Sequence, residues 1–277
     1  MRCIRMTLLP IVMACSGFPA LAQSDVIKPG EERFTFGLGA VLNSFGTKLR
    51  LDNSNQGQTG DNVDLKDDLG VDQDASSFWA TAEWRFAPRH RIGINYSQFK
   101  LTGTRTLTRN IVIDDETYQA GATLSSELKL QIIPIAYSYS FIKTGNDELA
   151  ATIGVHWSRV SFKAQGSFSS NFSGDANADV SAEADLPLPL IGLRYDHNFS
   201  QHWSAGLQGA YFPLNFGNLD GDIWTARTYV EYRFSKHVGL GFAVEGFQLN
   251  VESSSGSWQG EVKYGYWGPQ IYLKSRF

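Results

Sequence analysis

The sequence is poor in cysteine, in basic charge and in long apolar runs. Its 277 residues include two cysteines, Cys3 and Cys15, which both lie near the amino terminus. If that segment is removed, no disulfide or thiolate chemistry is left to the chain. No apolar run reaches the length of about 18 residues that a transmembrane helix needs. The formal net charge is -4, and such a chain lacks the basic stripe that a nucleic-acid partner requires.

The amino-terminal segment predicts a secretory signal peptide. Two arginines and a short apolar run at residues 6–14 precede an Ala-Leu-Ala cleavage site before Gln23. Cleavage before Cys15, at a loose likeness to a lipobox, is the alternative. Loss of the two arginines changes the net charge from -4 to -6. The predicted organisation is a signal peptide at residues 1–22, a periplasmic lead at residues 23–32 and a folded part at residues 33–277.

Residues 262–277 alternate between apolar and polar side chains with a period of two, which indicates a β-strand. Ile271, Leu273 and Phe277 share the apolar face, while basic and tyrosine side chains occupy the other. This pattern resembles the C-terminal recognition signal of bacterial outer-membrane β-barrel proteins, although Ser275 departs from it. The resemblance implies an outer-membrane barrel that the barrel assembly machinery recognises through its last strand. A soluble sheet with a buried last strand is the alternative.

The same alternation recurs in pairs of segments that are joined by short polar turns. Four such hairpins occur, around residues 87–90, 143–147, 200–202 and 235–237. With one more strand at each end, they predict an all-β fold, a ten-stranded antiparallel transmembrane β-barrel, with eight or twelve strands as alternatives. Longer polar connections are expected on the opposite, extracellular rim. They are residues 52–76, 103–121, 167–185, 213–222 and 250–260.

Aromatic side chains gather at the ends of the predicted strands. Trp267 and Phe277 are ten residues apart on one outward face, and so are Trp224 and Phe234. Ten strand residues tilted by about 40° rise on the order of 25 Å, which is the height of the apolar band of such barrels. We therefore expect two aromatic girdles. The periplasmic girdle comprises Trp84, Phe86, Tyr139, Phe141, Phe199, Trp203, Tyr232, Phe234 and Phe277, and the outer girdle comprises Trp157, Tyr211, Trp224 and Trp267.

Residues 122–141 do not keep one apolar face. Leu128 and Ile132 are in one phase, whereas Ile133 and Ile135 are in the other. This predicts either a bulge near Ile132 or a strand that extends above the membrane and changes its exposed face. Local irregularity is also expected where a proline removes a ladder donor, at Pro134, Pro187 and Pro189.

Acidic and basic residues are interleaved on the inward face of the predicted strands. The residues expected to line the lumen are Glu83, Arg85, Arg194, Asp196, Arg227, Glu231, Arg233, Glu245 and Lys274. A ten-stranded barrel is only modestly wider than one that side chains fill, so this network can plug the bore or line a narrow polar path. Pairing across the turn at residues 235–237 sets Arg227 opposite Glu245 and predicts an ion pair between them.

His156 and Ser158 are candidate catalytic residues because they are two residues apart and share one face of a strand. The pair resembles the His-x-Ser of the outer-membrane lipid A deacylases, in which the pair faces lipid and a Glu completes the triad. Here the phasing turns Trp157 to the lipid and the pair inward, and the following residues do not continue the motif. The strand count is also similar to that of the outer-membrane omptin proteases. However, Asp196 and His197 are adjacent, where that family has Asp-x-His at the barrel mouth.

Residues 52–76 contain seven aspartates and one lysine. They begin like an EF-hand calcium loop, but Val63 stands where the bidentate Glu is needed, so no specific metal site is predicted. Loose divalent binding that bridges to lipopolysaccharide phosphates is an alternative. Residues 64–70 predict one helical turn that lays Leu65 and Leu69 on the barrel mouth.

These features predict an integral outer-membrane barrel with a narrow polar lumen and no enzymatic activity, either a porin-like channel or a structural barrel. No cofactor, metal or nucleic-acid partner is expected. The expected partners are outer-membrane lipid, lipopolysaccharide and the barrel assembly machinery. One alternative is a surface-binding protein that acts through its acidic extracellular loops. Another is an outer-membrane hydrolase of the lipid A type that uses His156 and Ser158.

Overall fold

Within the residues that the structure describes, ten long antiparallel strands close into a barrel. The structure is a computed structural model and describes residues 31–52, 61–113, 116–118, 120–167, 178–217, 219–254 and 259–277. The strands are β1 (Phe34–Asp52), β2 (Val63–Asp64), β3 (Asp74–Ala87), β4 (His90–Thr106), β5 (Ile111–Ile113), β6 (Glu116–Tyr118), β7 (Thr123–Lys143), β8 (Asp147–Ser167), β9 (Ala178–Asn198), β10 (Trp203–Phe216), β11 (Leu219–Arg233), β12 (Val238–Ser253) and β13 (Gln259–Arg276). The predicted signal peptide and nearly all of the predicted lead lie outside the described residues.

The barrel closes where the last strand pairs with the first. β13 is antiparallel to β1, with Leu273 opposite Leu38, and the Phe277 amide donates to the carbonyl of Phe34 at 2.8 Å. Every other long strand pairs with the long strands next to it in the chain, while β2 adds to β1 and β5 pairs with β6 alone. Closure leaves the long strands without free sheet edges at the closing point. The predicted ten-stranded antiparallel barrel is therefore confirmed.

The outside of the barrel carries a broad apolar belt. The thirteen aromatic residues of the two predicted girdles are all on this face, and their exposure runs from 37% at Tyr232 to 66% at Phe199. Aliphatic side chains such as Leu38, Ile153 and Leu193 are exposed between them. So large an apolar surface is stable against lipid tails and not against water. The described residues contain no helix that is both long and apolar enough to cross a bilayer.

The strands continue beyond this belt on the rim opposite the short turns. In outer-membrane barrels the short turns are periplasmic, so the extended rim corresponds to the extracellular rim of such barrels. The predicted long loop at residues 213–222 is wrong, because β10 and β11 pair as far as Phe216 opposite Leu219, around a turn in which Gly217 has a φ of 62°. The connection at residues 167–185 is also shorter than predicted, since β9 pairs with β8 from Ala178 onward.

Strand β7 keeps a single phase along its length, so the predicted bulge near Ile132 is wrong. Leu128, Ile132 and Ser138 all lie inward and are buried, and the register shift of the β7–β8 pair lies between Ser140 and Ile142. The other interpretation of this segment is correct in that the strand extends above the belt, but the same set of residues faces outward along its whole length. Above the belt, its outward side becomes polar and its inward side becomes apolar.

Apolar side chains fill the extracellular half of the interior. Phe45, Phe99, Leu130 and Phe247 belong to this cluster and are each at most 5% exposed. An interior of this kind buries apolar area within the barrel, which stabilises the part of the wall that stands above the membrane. The extracellular half is called the apolar layer below.

The predicted helical turn at residues 64–70 is present and packs into the apolar layer. The Gly70 amide donates to the carbonyl of Lys66 at 2.9 Å, and Gly70 has a φ of 66°, a conformation that favours glycine. Leu65 and Leu69 are 5% and 1% exposed. The turn therefore closes the wall from inside where β3 and β4 diverge, and Val71 bridges to Gly103 of β4.

Candidate functional site: the interior of the barrel

Glu148 is the centre of a buried ion cluster near the periplasmic rim. Arg85 contacts both of its carboxylate oxygens at 2.9 Å, Arg91 contacts Oε1 at 2.9 Å, and the Ser140 hydroxyl also donates to it. Bidentate contacts of this kind are among the strongest ion pairs in proteins. Glu148 is not among the predicted lumen residues because it directly follows a predicted turn. Glu148 and His156 are an even number of residues apart on β8, so their side chains share the inward face. This phase is the sequence signal that could have placed Glu148 in the lumen.

A second cluster adjoins the first and spans the bore. Arg194 of β9 contacts Glu83 of β3 at 3.0 Å and Asp196 at 2.8 Å. Arg91 contacts Glu83 at 3.5 Å, and the Tyr229 hydroxyl donates to Asp196. Because β3 and β9 are far apart in the wall, these contacts tie opposite sides of the barrel together.

Glu231 organises the third cluster. Its carboxylate accepts from Lys274 at 2.9 Å, from the Tyr272 hydroxyl at 2.9 Å and from Arg276. Arg233, two residues closer to the rim, instead donates to the carbonyls of Gln201 and Ser200. Arg233 therefore holds a periplasmic turn in place. The three clusters together are called the polar layer below.

Arg227 and Glu245 occupy the boundary between the two layers. Arg227 Nε lies 3.6 Å from Glu245 Oε2, and its guanidinium lies 5.2–5.4 Å from the ring centres of Trp79, Tyr229 and Tyr272. A guanidinium over aromatic faces gains a cation–π interaction that is strongest away from water. The predicted opposition of Arg227 and Glu245 is present in the β11–β12 register.

A cavity of about 170 Å³ lies between the polar and apolar layers. Arg227 and His156 contribute polar groups to its wall, and Trp79 contributes an aromatic ring. Leu190 of β9 and Ala210 of β10 form part of the wall on one side. The cavity combines apolar, aromatic and hydrogen-bonding surface, which is the usual composition of a small-molecule site.

The candidate catalytic pair lies inside the barrel. His156 and Ser158 are each 2% exposed, and the Ser158 hydroxyl lies 3.1 Å from His156 Nδ1. His156 stacks on Phe247, and its Nε2 lies 3.4 Å from the Tyr266 hydroxyl. Trp157 points outward and is 40% exposed. The pair therefore faces the packed interior and is separated from lipid by the barrel wall.

Asp196 and His197 point to opposite faces of β9. Asp196 joins the polar layer, whereas His197 Nδ1 lies 2.8 Å from Asp147 Oδ1 on the outside, at the periplasmic rim. A protease dyad cannot form from side chains on opposite faces of a wall. The described residues contain no group of three or more His, Cys, Asp or Glu side chains that could hold a metal ion. In the acidic turn, Asp64 caps the backbone amides of Lys66 and Asp67.

The residues of the predicted assembly signal share the outward face of β13. Ile271, Leu273 and Phe277 are 55%, 53% and 56% exposed. Phe277 also contacts the ring of Phe36 across the closing point of the barrel, with ring centres 6.4 Å apart. This face is continuous with the apolar belt.

The chain matches several solved structures. The outer-membrane protease OmpT of Escherichia coli has a TM-score of 0.61 at 13% identity, over 88% of this chain and 97% of that one. Ail of Yersinia pestis has a TM-score of 0.35 at 9% identity, over 88% and 99% of the two chains. The toluene transporter TodX of Pseudomonas putida has a TM-score of 0.34 at 8% identity, over 91% and 93%. No protein-family model matches the chain, and no curated protein matches it.

At 13% identity, the likeness to OmpT is one of fold. It agrees with the closed antiparallel barrel, with the apolar belt and with the girdle aromatics described above. The chain therefore has the fold of the bacterial outer-membrane β-barrel proteins.

Proposed function

We propose that the protein is a non-enzymatic integral barrel of the outer membrane whose bore is closed to flow along its axis. The observation that carries this proposal is the filling of the bore by two layers in series. The polar layer ties β3, β8 and β9 together through Arg85, Glu148 and Arg194. The apolar layer fills the interior above it. Of the two predicted possibilities, this arrangement favours the structural barrel over the porin-like channel.

Energetics support a bore that stays closed. Removing one partner of a buried ion pair costs about 3–5 kcal/mol, and exposing one large apolar side chain costs about 1.5–3 kcal/mol. A path along the axis would have to displace members of both layers at once. Such an opening is rare at ambient temperature because the costs of the two layers add.

Conductance in planar bilayers tests the proposal. The wild-type protein should give no stable current steps. Because the two layers act in series, Phe99→Ala with Leu130→Ala should also remain closed, and so should Arg85→Ala with Glu148→Ala. The combination of all four substitutions should conduct, provided that it retains the barrel fold by circular dichroism. Stable steps from the wild-type protein would overturn the proposal.

We also propose that lipopolysaccharide contacts the outward face just above the outer girdle. Lys100 and Lys129 are directly opposite each other on β4 and β7, and both contact Glu127, at 2.6 and 2.7 Å. Arg159 of β8 lies two residues beyond Trp157 of the outer girdle. Two strand residues advance about 6.6 Å. These cations therefore lie close above the apolar belt, at the height of lipid headgroups.

A second pair of opposed lysines lies on the outward face at the closing point of the barrel. Lys48 of β1 is directly opposite Lys263 of β13, Lys263 contacts Glu261 at 2.6 Å, and Lys48 contacts Asp64 at 3.5 Å. A positive surplus therefore remains at Lys100 and Lys129, where two lysines share one carboxylate. Lysine and arginine near a headgroup layer attract anionic lipid. The phosphates of lipopolysaccharide supply that negative charge in the outer leaflet.

A further inference from the structure

The wall of the barrel is incomplete between β9 and β10. Their ladder ends at Ile191 opposite Tyr211, although both strands continue. β9 stays paired with β8 back to Ala178, and β10 stays paired with β11 up to Phe216. Five further rungs between β9 and β10 are therefore possible but are not formed. The facing segments, residues 186–190 and 212–216, are called the seam.

Three prolines explain why the β9–β10 ladder does not continue through the seam. Amide groups of a strand point alternately to its two neighbours, so each residue can donate to only one side. The β8–β9 ladder runs without interruption through Pro187 and Pro189, and the β10–β11 ladder does so through Pro213. The nitrogens of all three prolines must therefore face the seam, where they offer no donor. On these segments only the amide of Asn215 has the phase needed to donate across the seam.

Single prolines elsewhere in the wall interrupt a ladder but do not end it. At Pro134, the β4–β7 pairing skips two rungs and resumes at Ser97 opposite Ile132. At Pro269, the β1–β13 pairing skips two rungs and resumes at Ser44 opposite Trp267. The seam differs because prolines stand on both of its edges, and its ladder does not resume.

The divergence of β3 and β4 provides a second comparison. There the Leu65 and Leu69 turn fills the space between the strands, and Val71 bridges to β4. Among the described residues, no segment occupies the seam in this way.

The seam lies at the level of the outer girdle and beside the cavity. Trp157 is directly opposite Pro187, and Tyr211 is the last residue of β10 that pairs with β9. Three inward side chains of the seam, Leu188, Leu190 and Leu214, are apolar and at most 9% exposed. Leu190 also forms part of the cavity wall. Apolar surface thus runs from the outer leaflet to the cavity through a stretch of wall that has no hydrogen-bonded rungs.

The charges of the interior indicate which ligand the cavity would accept. Seven basic side chains face five acidic ones in the polar layer and at the Arg227 boundary. The basic residues are Arg85, Arg91, Arg194, Arg227, Arg233, Lys274 and Arg276, and the acidic ones are Glu83, Glu148, Asp196, Glu231 and Glu245. The surplus is positive, so an anionic group is favoured in the cavity over a cationic one.

We propose that the seam is a lateral entrance through which an amphiphile with one apolar chain and an anionic head passes from the outer leaflet into the cavity. The head reaches Arg227, and the chain remains along Leu188, Leu190 and Leu214. This entrance rests on the membrane placement proposed above but needs no opening along the axis. It adds a ligand-binding role to a barrel that is closed at both layers.

Photolabelling of the full chain in liposomes tests the entrance. The probe is a twelve-carbon fatty acid that carries a diazirine on its chain, and adducts are located by mass spectrometry. The wild-type protein should be labelled at the inward residues Leu190 and Ala210 as well as at the outward residues Ile191 and Leu193. The outward adducts serve as an internal measure of probe concentration in the bilayer.

The sealing variant replaces Pro187, Pro189 and Pro213 by valine. It restores three donors to the seam, so its inward adducts should fall by at least about tenfold relative to its outward adducts. Hydrogen exchange should show protection of the three new amides. Pro269→Val is the matched control, because it restores one donor far from the seam and should leave the labelling ratio unchanged.

A second variant tests whether Arg227 binds the anionic head of the ligand. Arg227→Gln should reduce inward labelling by the acid but not by the corresponding alcohol. If the sealing variant does not fold, this comparison still tests the cavity. Absence of inward adducts in the wild-type protein, or equal inward labelling in a sealing variant whose new amides are protected, would overturn the proposal. Current steps in planar bilayers would contradict the closed bore. They would not bear on the labelling result, which tests the lateral entrance alone.

Discussion

Arg227 lies directly opposite Glu245 in the β11–β12 ladder, with 3.6 Å between Nε and Oε2. Both side chains point into the bore and are less than a fifth exposed. A slip of one residue would turn Glu245 toward lipid, where a charge costs up to a few kcal/mol. The membrane and the pair therefore select the same register.

Removing one member of this pair should destabilise the barrel more than removing both. Glu245→Ala leaves the guanidinium of Arg227 without its carboxylate, and we expect it to lower the free energy of unfolding by about 3 kcal/mol. Arg227→Met combined with Glu245→Met should lie closer to the wild type, because no buried charge is left alone. Urea unfolding in detergent measures the free energy of unfolding of the single and the double variant. Equal losses in the single and double variants would contradict a coupled pair.

The register could be predicted because strand alternation has a period of two and both faces of the wall are chemically distinct. The same rule yielded the strand number and the outward girdles. It could not yield the ends of the strands, because above the belt the outward side chains, such as Lys129, are as polar as those of a loop. It also could not yield contacts across the bore. Arg85 of β3 meets Glu148 of β8 through the interior, and no ladder connects those strands.

The seam could be predicted only in part from the sequence. Pro187 and Pro189 predicted local irregularity in β9. That the ladder to β10 ends there depends also on Pro213 in the facing strand. Only the paired structure shows that all three nitrogens face the same gap.

Deletion of Phe277 should prevent assembly in the outer membrane. Its exposed ring ends the alternating apolar face that the assembly machinery is expected to recognise, and its backbone closes the barrel against Phe34. The variant should accumulate in the periplasm or be degraded, as measured by membrane fractionation and immunoblotting. Ser275→Ala is the matched control and should assemble normally. Refolding of the deletion variant in detergent separates a recognition defect from an unstable barrel, and wild-type outer-membrane levels of it would refute the prediction.

Substitution of the candidate catalytic pair should leave lipid A unchanged. His156 and Ser158 are packed among Phe247 and Tyr266 inside the barrel, so acyl chains in the bilayer cannot reach them without entering it. Cells that produce His156→Ala or Ser158→Ala should show the same lipid A acylation by mass spectrometry as cells that produce the wild type. Loss of a deacylated species in both variants would assign a hydrolase activity to the pair.

Neutralising one lysine pair should weaken retention of lipopolysaccharide. Lysine near a headgroup layer contributes about 1 kcal/mol of attraction, so Lys100→Gln with Lys129→Gln should reduce retention by on the order of tenfold. The amount that remains bound after purification can be measured from its phosphate content. Lys236→Gln, in a periplasmic turn, removes one charge far from the outer leaflet and should have no effect. A similar loss in that control would indicate a general charge effect.

The carboxylate of Glu127 should titrate at unusually low pH. Hydrogen bonds from Lys100 and Lys129 lower the pKa of Glu127 from 4.5 to about 2, and the residue stands above the apolar belt, in contact with water. Because the pKa of Glu127 is lower in the folded protein than in the unfolded chain, its contribution to stability is fully present at pH values above the ordinary pKa of 4.5. That contribution is lost as the pH falls from 4.5 through about 2. Carbon-13 NMR of the labelled carboxyl group should show the low midpoint in the wild type and a midpoint closer to 4.5 in Lys129→Gln. Lys263→Gln changes an outward lysine of β13, which does not pair with β4 or β7, and should leave the Glu127 midpoint where it is. A wild-type midpoint near 4.5 would mean that the two lysines do not hold the carboxylate in solution.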